Sequence, residues 1–396
     1  MRFRLYPTPA QEEALLGHCA QARFVWNLAL EQANWYRPQW GPTPGYVAQS
    51  AQLTEARAAS EWLASGSFTV QQQALRDFAQ AMKNFWAGTH GRPTWRRKGT
   101  HEGFRVVAVR PGHVRRLNRR WGDVFVPKVG RVRFRWTRAV GEVKSYRVTR
   151  DRAGRWHVAF AQPPRPLDRH PTGAAVGIDR GVANTLATSD GTFLHAPAMT
   201  TSERARHARL QRHLARQQKG SARRARTQQA LARLRAKEAD RVKNWVEQTT
   251  TALVLDHDLI AVESLAVRNM TRSARGTAAS PGRNVRAKAG LNRQILARRW
   301  GLFARRLKEK ADLAGVMVIE VPAAYTSQRC SACAHVAAES RESQAAFRCI
   351  ACGHMEHADT NAALNILAAG RAVTARGGEQ SSPSNRELQP RSLQAA

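Results

Sequence analysis

Residues 330–366 read CSACAHVAAESRESQAAFRCIACGHMEHADTNAALNI, and they govern how the rest of the chain is understood. The stretch holds Cys330-Ser-Ala-Cys333, fifteen intervening residues, and Cys349-Ile-Ala-Cys352. Each C-x-x-C knuckle offers two thiolates to one ion, and two knuckles close a tetrahedron around Zn²⁺. Redox-active pairs and an iron–sulfur cluster are the other chemistries open to such pairs. With all four places filled by sulfur, a zinc site here is structural and closed to catalysis. His335, His354 and His357 are spare under this reading and are expected to meet phosphate or solvent. The remaining cysteine, Cys19, lies on the apolar stripe of a helix and reads as a small core residue.

Just beyond the second knuckle, Asp359 opens a helix in Ala358-Asp-Thr-Asn-Ala-Ala-Leu-Asn-Ile366. Working back, Glu263 ends the apolar strand Leu259-Ile-Ala-Val-Glu263, and Asp179 ends another in Gly177-Ile-Asp-Arg-Gly181. Taken singly, Asp359 could cap its helix, Asp179 could serve a turn and Glu263 could pair with an arginine. An acid beside buried strand residues is costly unless it is paired, protonated or bound to a cation. Three converging acids are what a pair of Mg²⁺ ions needs, because Mg²⁺ takes a few carboxylate oxygens and keeps places for water and phosphate. As an ordered set, Asp179, Glu263 and Asp359 read as catalytic metal ligands, and Mn²⁺ would suit the same oxygens.

The charge balance supplies the partner. Lys and Arg number 64 against 29 Asp and Glu, a net +35, so a polyanion, DNA or RNA, is expected to lie against the chain. Between 204 and 243 there are fourteen Lys/Arg and two acids, a helical run of nearly one sign. No apolar run is long enough to span a bilayer and the start has no export signal. A cytoplasmic, nucleoid-associated protein without a membrane partner is therefore expected.

Periodicity divides the chain. Leu15, Cys19, Ala22, Trp26 and Leu30 predict a helix over 9–36. Further helices are expected over 50–86, with Leu53, Trp62, Leu75, Phe78, Met82 and Phe85 in the core. The basic link Gly91-Arg-Pro-Thr-Trp-Arg-Arg-Lys-Gly99 follows. From 103 to 162 the period is two, with Val132, Phe134 and Trp136 alternating with arginines. That predicts a small barrel or curled sheet with an Arg-rich face. Strands at 175–179, 184–189 and 192–195 form hairpins. Helices over 201–250 break at Lys219-Gly-Ser221. A mobile loop at 271–290, a helix at 292–312 and a strand at 316–321 lead into the cysteines. The tail after Gly370 is expected to be disordered.

These residues together closely resemble the TnpB (OrfB) family of transposon-encoded RNA-guided DNA endonucleases, related to type V CRISPR effectors. The likeness rests on Gly177–Gly181 with Ser189-Asp-Gly191, and on Val262-Glu-Ser-Leu265 with Asn269-Met270. It continues in Tyr325–Cys333 and Ala358–Ile366. Leu5-Tyr-Pro7, Ala22–Asn27, Gly91–Gly99, Lys219–Ser221 and Trp300-Gly301 extend it from the N-terminus to about residue 370. Ala334 stands where the family usually has glycine.

The resemblance implies an α+β multidomain fold. A helical recognition domain (9–90) is inserted in a wedge β-barrel (1–8 and 91–168). An RNase-H-like (RuvC) nuclease domain (172–325 and 357–370) follows, with an inserted zinc ribbon (326–356) and a disordered tail (371–396). It implies Asp179, Glu263 and Asp359 as the catalytic triad, and Cys330, Cys333, Cys349 and Cys352 as the zinc ligands. It also implies a guide RNA and target DNA bearing a short adjacent motif. Arg96, Arg97, Lys98, Lys219, Arg223 and Arg224 are the candidate nucleic-acid contacts. A non-cleaving RNA-guided regulator, a small type V CRISPR effector and an unguided zinc-ribbon binder are the competing functions. The intact triad favours a nuclease.

Overall fold

Alternation of apolar and polar residues builds the N-terminal sheet. In the computed structural model, which describes residues 1–35, 39 and 44–377, β1 (Arg2–Tyr6) buries Phe3 and Leu5. It pairs antiparallel with both β5 (Gly130–Arg135) and β7 (Trp156–Ala161). The other strands are β2 (Gly103–Val107), β3 (Val114–Arg116), β4 (Trp121–Val126) and β6 (Ser145–Arg150), in the order β2-β6-β7-β1-β5-β4-β3. Among the described residues no ladder joins β2 to β3, so the sheet is open. It is nonetheless curled, because the Tyr146 hydroxyl on β6 donates to the Phe125 carbonyl on β4 at 2.5 Å. Phe3, Phe134 and Phe160 meet inside, with ring centroids 5.3–5.5 Å apart.

The expected Arg face is present, but part of it is already paired. Asp77 takes Arg147 at 2.8 Å and Arg105 at 3.7 Å, and Asp123 takes Arg115 at 2.6 Å and Arg131 at 2.9 Å.

Helix α1 (Pro9–Trp35) buries Leu15, Cys19, Ala22, Trp26 and Leu30, the stripe that the spacing predicts. Residue 36, where the predicted helix ended, lies outside the described residues. Helices α2 (Tyr46–Ala59), α3 (Glu61–Ser65) and α4 (Phe68–Trp86) complete the helical part, with Leu53, Leu75, Phe78 and Met82 in the core. Trp62 is not a core residue: it is 46% exposed and meets the Phe24 ring edge-on. Phe85 is only partly buried at the margin. Helices α5 (Thr201–Arg216) and α6 (Ala222–Asp256) break at Gly220, whose φ of +87° suits glycine. The chain divides into two units, Met1–Pro163 with Ala205–Ala236, and Pro164–Arg204 with Lys237 onward.

The second unit is organised by β8 (Ala175–Asp179), β9 (Leu186–Thr188), β10 (Phe193–Leu194), β11 (Leu259–Glu263) and β12 (Met317–Val321). Their order is β10-β9-β8-β11-β12, antiparallel across the first three strands and parallel from β8 through β12. Helix α10 (Ala358–Gly377) lies across this sheet. Two glycines let it approach. A Cβ on Gly177 would stand 2.1 Å from the Ala363 carbonyl, and one on Gly370 would stand 2.6 Å from the Ala261 Cβ. Because α10 continues to Gly377, residues 371–377 are helical and not a disordered tail. Residues 378–396 lie outside the described residues.

The stretch between β11 and β12 also departs from expectation. After α7 (Val267–Met270), the predicted loop at 271–290 gives way at Val285 to α8 (Val285–Arg298). A reverse turn at Arg299, with φ +54°, separates α8 from α9 (Trp300–Ala314), so the single helix expected over 292–312 is two. The cysteine segment adds the hairpin β13 (Ala346–Arg348) and β14 (Met355–His357). No described helix is long and apolar enough to cross a membrane. The architecture is α+β and multidomain.

Candidate active site

Parallel pairing brings the first two acids to one level. Val262 of β11 pairs with Ile178 of β8, so the next residues, Glu263 and Asp179, leave their strands side by side. Asp359 joins them from the first turn of α10, which packs on the same strands. Glu263 and Asp359 are each only 7% exposed. Burial first, then the Glu263 and Asp359 charges, push the Asp179 carboxyl up to about 7. Burial also raises Glu263, while the Thr326 hydroxyl and the Arg180 charge oppose the rise. Such mutual repulsion is relieved by a bound cation.

Four further residues hold the acids, and sequence reasoning did not single them out. The Arg180 guanidinium donates to the Glu263 carbonyl. Thr326 Oγ1 donates to Glu263 Oε1 at 2.7 Å, and Asn184 Nδ2 to Asp359 Oδ2 at 2.9 Å. Arg341, from the segment between the knuckles, reaches Asp359 Oδ1 at 3.4 Å. Arg180 stands within the quoted Gly-Ile-Asp-Arg-Gly run, whereas nothing in spacing marks Asn184 or Arg341. The asparagines of α10 have a separate task. Asn361 bonds the Ser331 amide and the Arg329 carbonyl, and Asn365 bonds the carbonyls of Thr326 and Arg329, all at 2.7–3.0 Å. The helix that carries Asp359 is thereby tied to the strand of chain entering the first knuckle.

The four cysteines converge fully. All four Sγ atoms lie within 4.8 Å of one another, with Cys330 to Cys352 at 3.7 Å and Cys333 to Cys349 at 3.6 Å. A tetrahedron with Zn–S near 2.3 Å has S···S edges of roughly 3.8 Å, so the donor set fits one zinc ion. Among the described residues no other group of three acids, histidines or cysteines closes to 4.8 Å. The three carboxylates are more widely set, in keeping with the span of two ions that lie ~3.5–4 Å apart in two-metal sites.

Both knuckles use the same turn. The Ala334 amide donates to the Cys330 carbonyl and the Gly353 amide to the Cys349 carbonyl, each at 3.0 Å. Both turn residues have positive φ, +62° at Ala334 and +74° at Gly353. None of the three histidines expected to be spare joins the four cysteines, and the His335 side chain is exposed. His354 Nε2 stands 3.4 Å from Ser331 Oγ, and His357 Nδ1 accepts from the Asp359 amide at 3.2 Å.

Known proteins are similar to this chain over nearly all of its length. A protein of Escherichia coli (strain K12) named "Putative RNA-guided DNA endonuclease InsQ" is 37% identical over 382 residues, covering 95% of this chain and 93% of its own. The chain belongs to the OrfB (TnpB) family. Family models agree, "Probable transposase" matching 148–274, "Cas12f1-like, TNB domain" 300–366 and "Helix-turn-helix domain" 1–39. A second OrfB relative, "Putative RNA-guided DNA endonuclease" of Streptomyces pristinaespiralis, is 30% identical over 95% of this chain and 90% of its own. Among solved structures, a Cas12f1–sgRNA–target DNA complex matches with a TM-score of 0.55 at 14% identity, covering 90% of this chain and 82% of that one. This last likeness is one of fold.

The candidate nucleic-acid contacts of this OrfB member separate into two kinds. Arg97, Lys98, Lys219 and Arg223 are exposed. Arg96 instead sits over the Trp26 indole, its Cζ 3.7 Å from the ring centroid. Arg224 turns back to the Leu214 and Gln217 carbonyls at the end of α5, where it satisfies groups that the helix leaves unpaired. Both of these side chains already have partners within the chain.

Proposed function

We propose that the chain is an RNA-guided, Mg²⁺-dependent DNA endonuclease encoded by a transposon. It would cut DNA complementary to a guide RNA beside a short adjacent motif. The observation that carries the reading is the meeting of Asp179, Glu263 and Asp359 at the ends of β8 and β11 and the start of α10, with Asp179 raised to about 7 by burial first and then by its two acidic neighbours. Three converging carboxylates, with Asp179 and Glu263 both harder to ionise than usual, are the donor set that two hard cations satisfy. Mg²⁺ held by them would activate the attacking water and stabilise the leaving oxygen, and Mn²⁺ would substitute. The chain's own contribution is to hold the oxygens in place. Thr326 fixes Glu263, Asn184 fixes Asp359, and Arg180 fixes the end of β11.

The order β10-β9-β8-β11-β12 supports reading this unit as an RNase-H-like (RuvC) nuclease domain with an inserted zinc ribbon. The sheet of β1 to β7 and the helices α1 to α4 would serve as the wedge and recognition domains. The names of the relatives supply RNA guidance and DNA as substrate, and the net +35 suits both partners. In this division of labour base pairing reads the sequence, and the protein reads backbone shape.

The test is cleavage by protein purified with its native RNA and Mg²⁺. DNA matching the guide segment should be cut and unmatched DNA spared. Asp179→Ala should abolish cutting and leave RNA and target binding nearly intact. Equal cutting of both DNAs would reduce the protein to an unguided nuclease. Guide-dependent binding without cleavage would make it a regulator.

A further inference from the structure

The basic link Gly91–Gly99, which holds the candidate contacts Arg96, Arg97 and Lys98, forms one wall of a cavity of about 310 Å³. Its lining includes His90, Arg92, Trp95, Arg96 and His101 together with Asn84 of α4, and no Asp or Glu. The cavity is preformed. Trp26 Nε1 donates to the Thr94 carbonyl at 3.0 Å, and Asn27 bonds both the amide and the carbonyl of Arg96, at 2.8 and 3.0 Å. Behind it, Glu102 joins the Gly99 amide at 2.5 Å to the Arg23 guanidinium at 2.8 Å. Trp95 is treated differently from Trp26. Its indole stays 46% exposed, on a segment otherwise pinned to α1.

An exposed indole beside two arginines and two imidazoles, with no acid among them, has the chemistry of a nucleotide subsite. Every base has a face that an aromatic ring or a guanidinium plane can stack on, and the phosphate seeks cations. The volume is at the lower end of small-molecule sites, ~300 Å³, which suits one nucleotide and excludes a duplex. Arg97 and Lys98, both exposed, continue the same segment and could meet the next phosphate.

We propose that this cavity takes one unpaired nucleotide of a bound strand, its base stacked on Trp95. The proposal rests on the nucleic-acid reading above but concerns a site apart from the three acids.

The test uses the full-length protein and a short unstructured oligoribonucleotide carrying 4-thiouridine. Photo-crosslinking should map to the 90–101 peptide. Trp95→Ala should weaken oligonucleotide affinity about tenfold, as loss of one stacked base does. The salt dependence should stay unchanged, because no phosphate contact is lost. Trp95→Phe should restore most of the affinity, and melting temperature should be the same for all three proteins. Crosslinks elsewhere with unaltered Trp95→Ala affinity would overturn the pocket and leave the nucleic-acid reading standing. Failure of the wild type to bind any oligonucleotide would overturn that broader reading instead. Saturable binding of free uridine monophosphate as tight as the oligonucleotide would reassign the cavity to a free nucleotide and refute the strand proposal.

Discussion

Thr326 Oγ1 donates a 2.7 Å hydrogen bond to Glu263 Oε1, while the Thr326 carbonyl accepts from Asn365 of α10 at 3.0 Å. One residue at the entrance to the cysteine segment therefore anchors an acid on β11 and also the helix that begins with Asp359. A hydrogen bond to a charged group contributes ~1.5–3 kcal/mol. Thr326→Val should therefore make Glu263 harder to ionise and raise the Mg²⁺ concentration needed for half-maximal cleavage on the order of tenfold. Thr326→Ser keeps the hydroxyl and should behave like the wild type. Equal Mg²⁺ dependence in the Val variant would show that Glu263 needs no such anchor.

Asp179 gives a pH prediction whose sign is fixed by its environment. Burial and two acidic neighbours raise its folded pKa to about 7 from the ordinary aspartate value of 3.8. Between those values the folded chain holds a proton that the unfolded chain has lost, so stability falls as pH rises through this window. Above about pH 7 the whole cost is present. In the chelated protein, Asp179→Asn should raise the melting temperature by roughly 2–6 °C near pH 8, and by less near pH 5. Mg²⁺ should stabilise the wild type near pH 8 and the Asn variant much less. A melting gain independent of pH would mean that Asp179 ionises freely.

Arg223 and Arg224 are neighbours with different tasks, and charge reversal separates them. Arg223 is exposed; Arg224 closes the end of α5 through the Leu214 and Gln217 carbonyls. Arg223→Glu should weaken RNA binding several-fold with an unchanged melting temperature and a shallower salt dependence. Arg224→Glu should lower the melting temperature by roughly 2–4 °C. Unchanged RNA affinity in the Arg223 variant would make that face of the helix a solvated surface only.

What the sequence revealed, and what it hid, follows from the range of each interaction. Leu15 to Leu30 on α1 and Val132 and Phe134 on β5 were legible because their period is local. The ends of β8 and β11 were legible for the same reason, and with them Asp179 and Glu263. The break at Arg299 was not, since it is a single residue at positive φ among good helix formers. The neutralisation of Arg147 was hidden too, because its partner Asp77 comes from a helix seventy positions earlier. Arg341 on Asp359 and Asn184 on the same acid depend wholly on tertiary contact. Trp62 was assigned to the core on periodicity, yet α3 is only five residues long and leaves it at the surface. The cysteines were the easiest, because C-x-x-C spacing itself dictates the knuckle.

Those knuckles carry the last prediction. Ala334 and Gly353 occupy equivalent turn positions, but Ala334 bears a Cβ at φ +62°. The left-handed region costs an L-residue ~1–2 kcal/mol, part of which glycine returns through its greater freedom when unfolded. Ala334→Gly should thus stabilise the ribbon by a net ~0.5–1 kcal/mol. The zinc-loaded protein should release metal to a chelator several-fold more slowly, since metal binding and ribbon folding are one equilibrium. One Zn²⁺ per chain should be found by elemental measurement. Cys349→Ser should lose it and expose the Asn361 and Asn365 contacts to hydrogen exchange. The same exchange rate at the start of α10 with and without zinc would show that the ribbon does not brace the helix bearing Asp359. Iron in place of zinc would overturn the assignment of the metal itself.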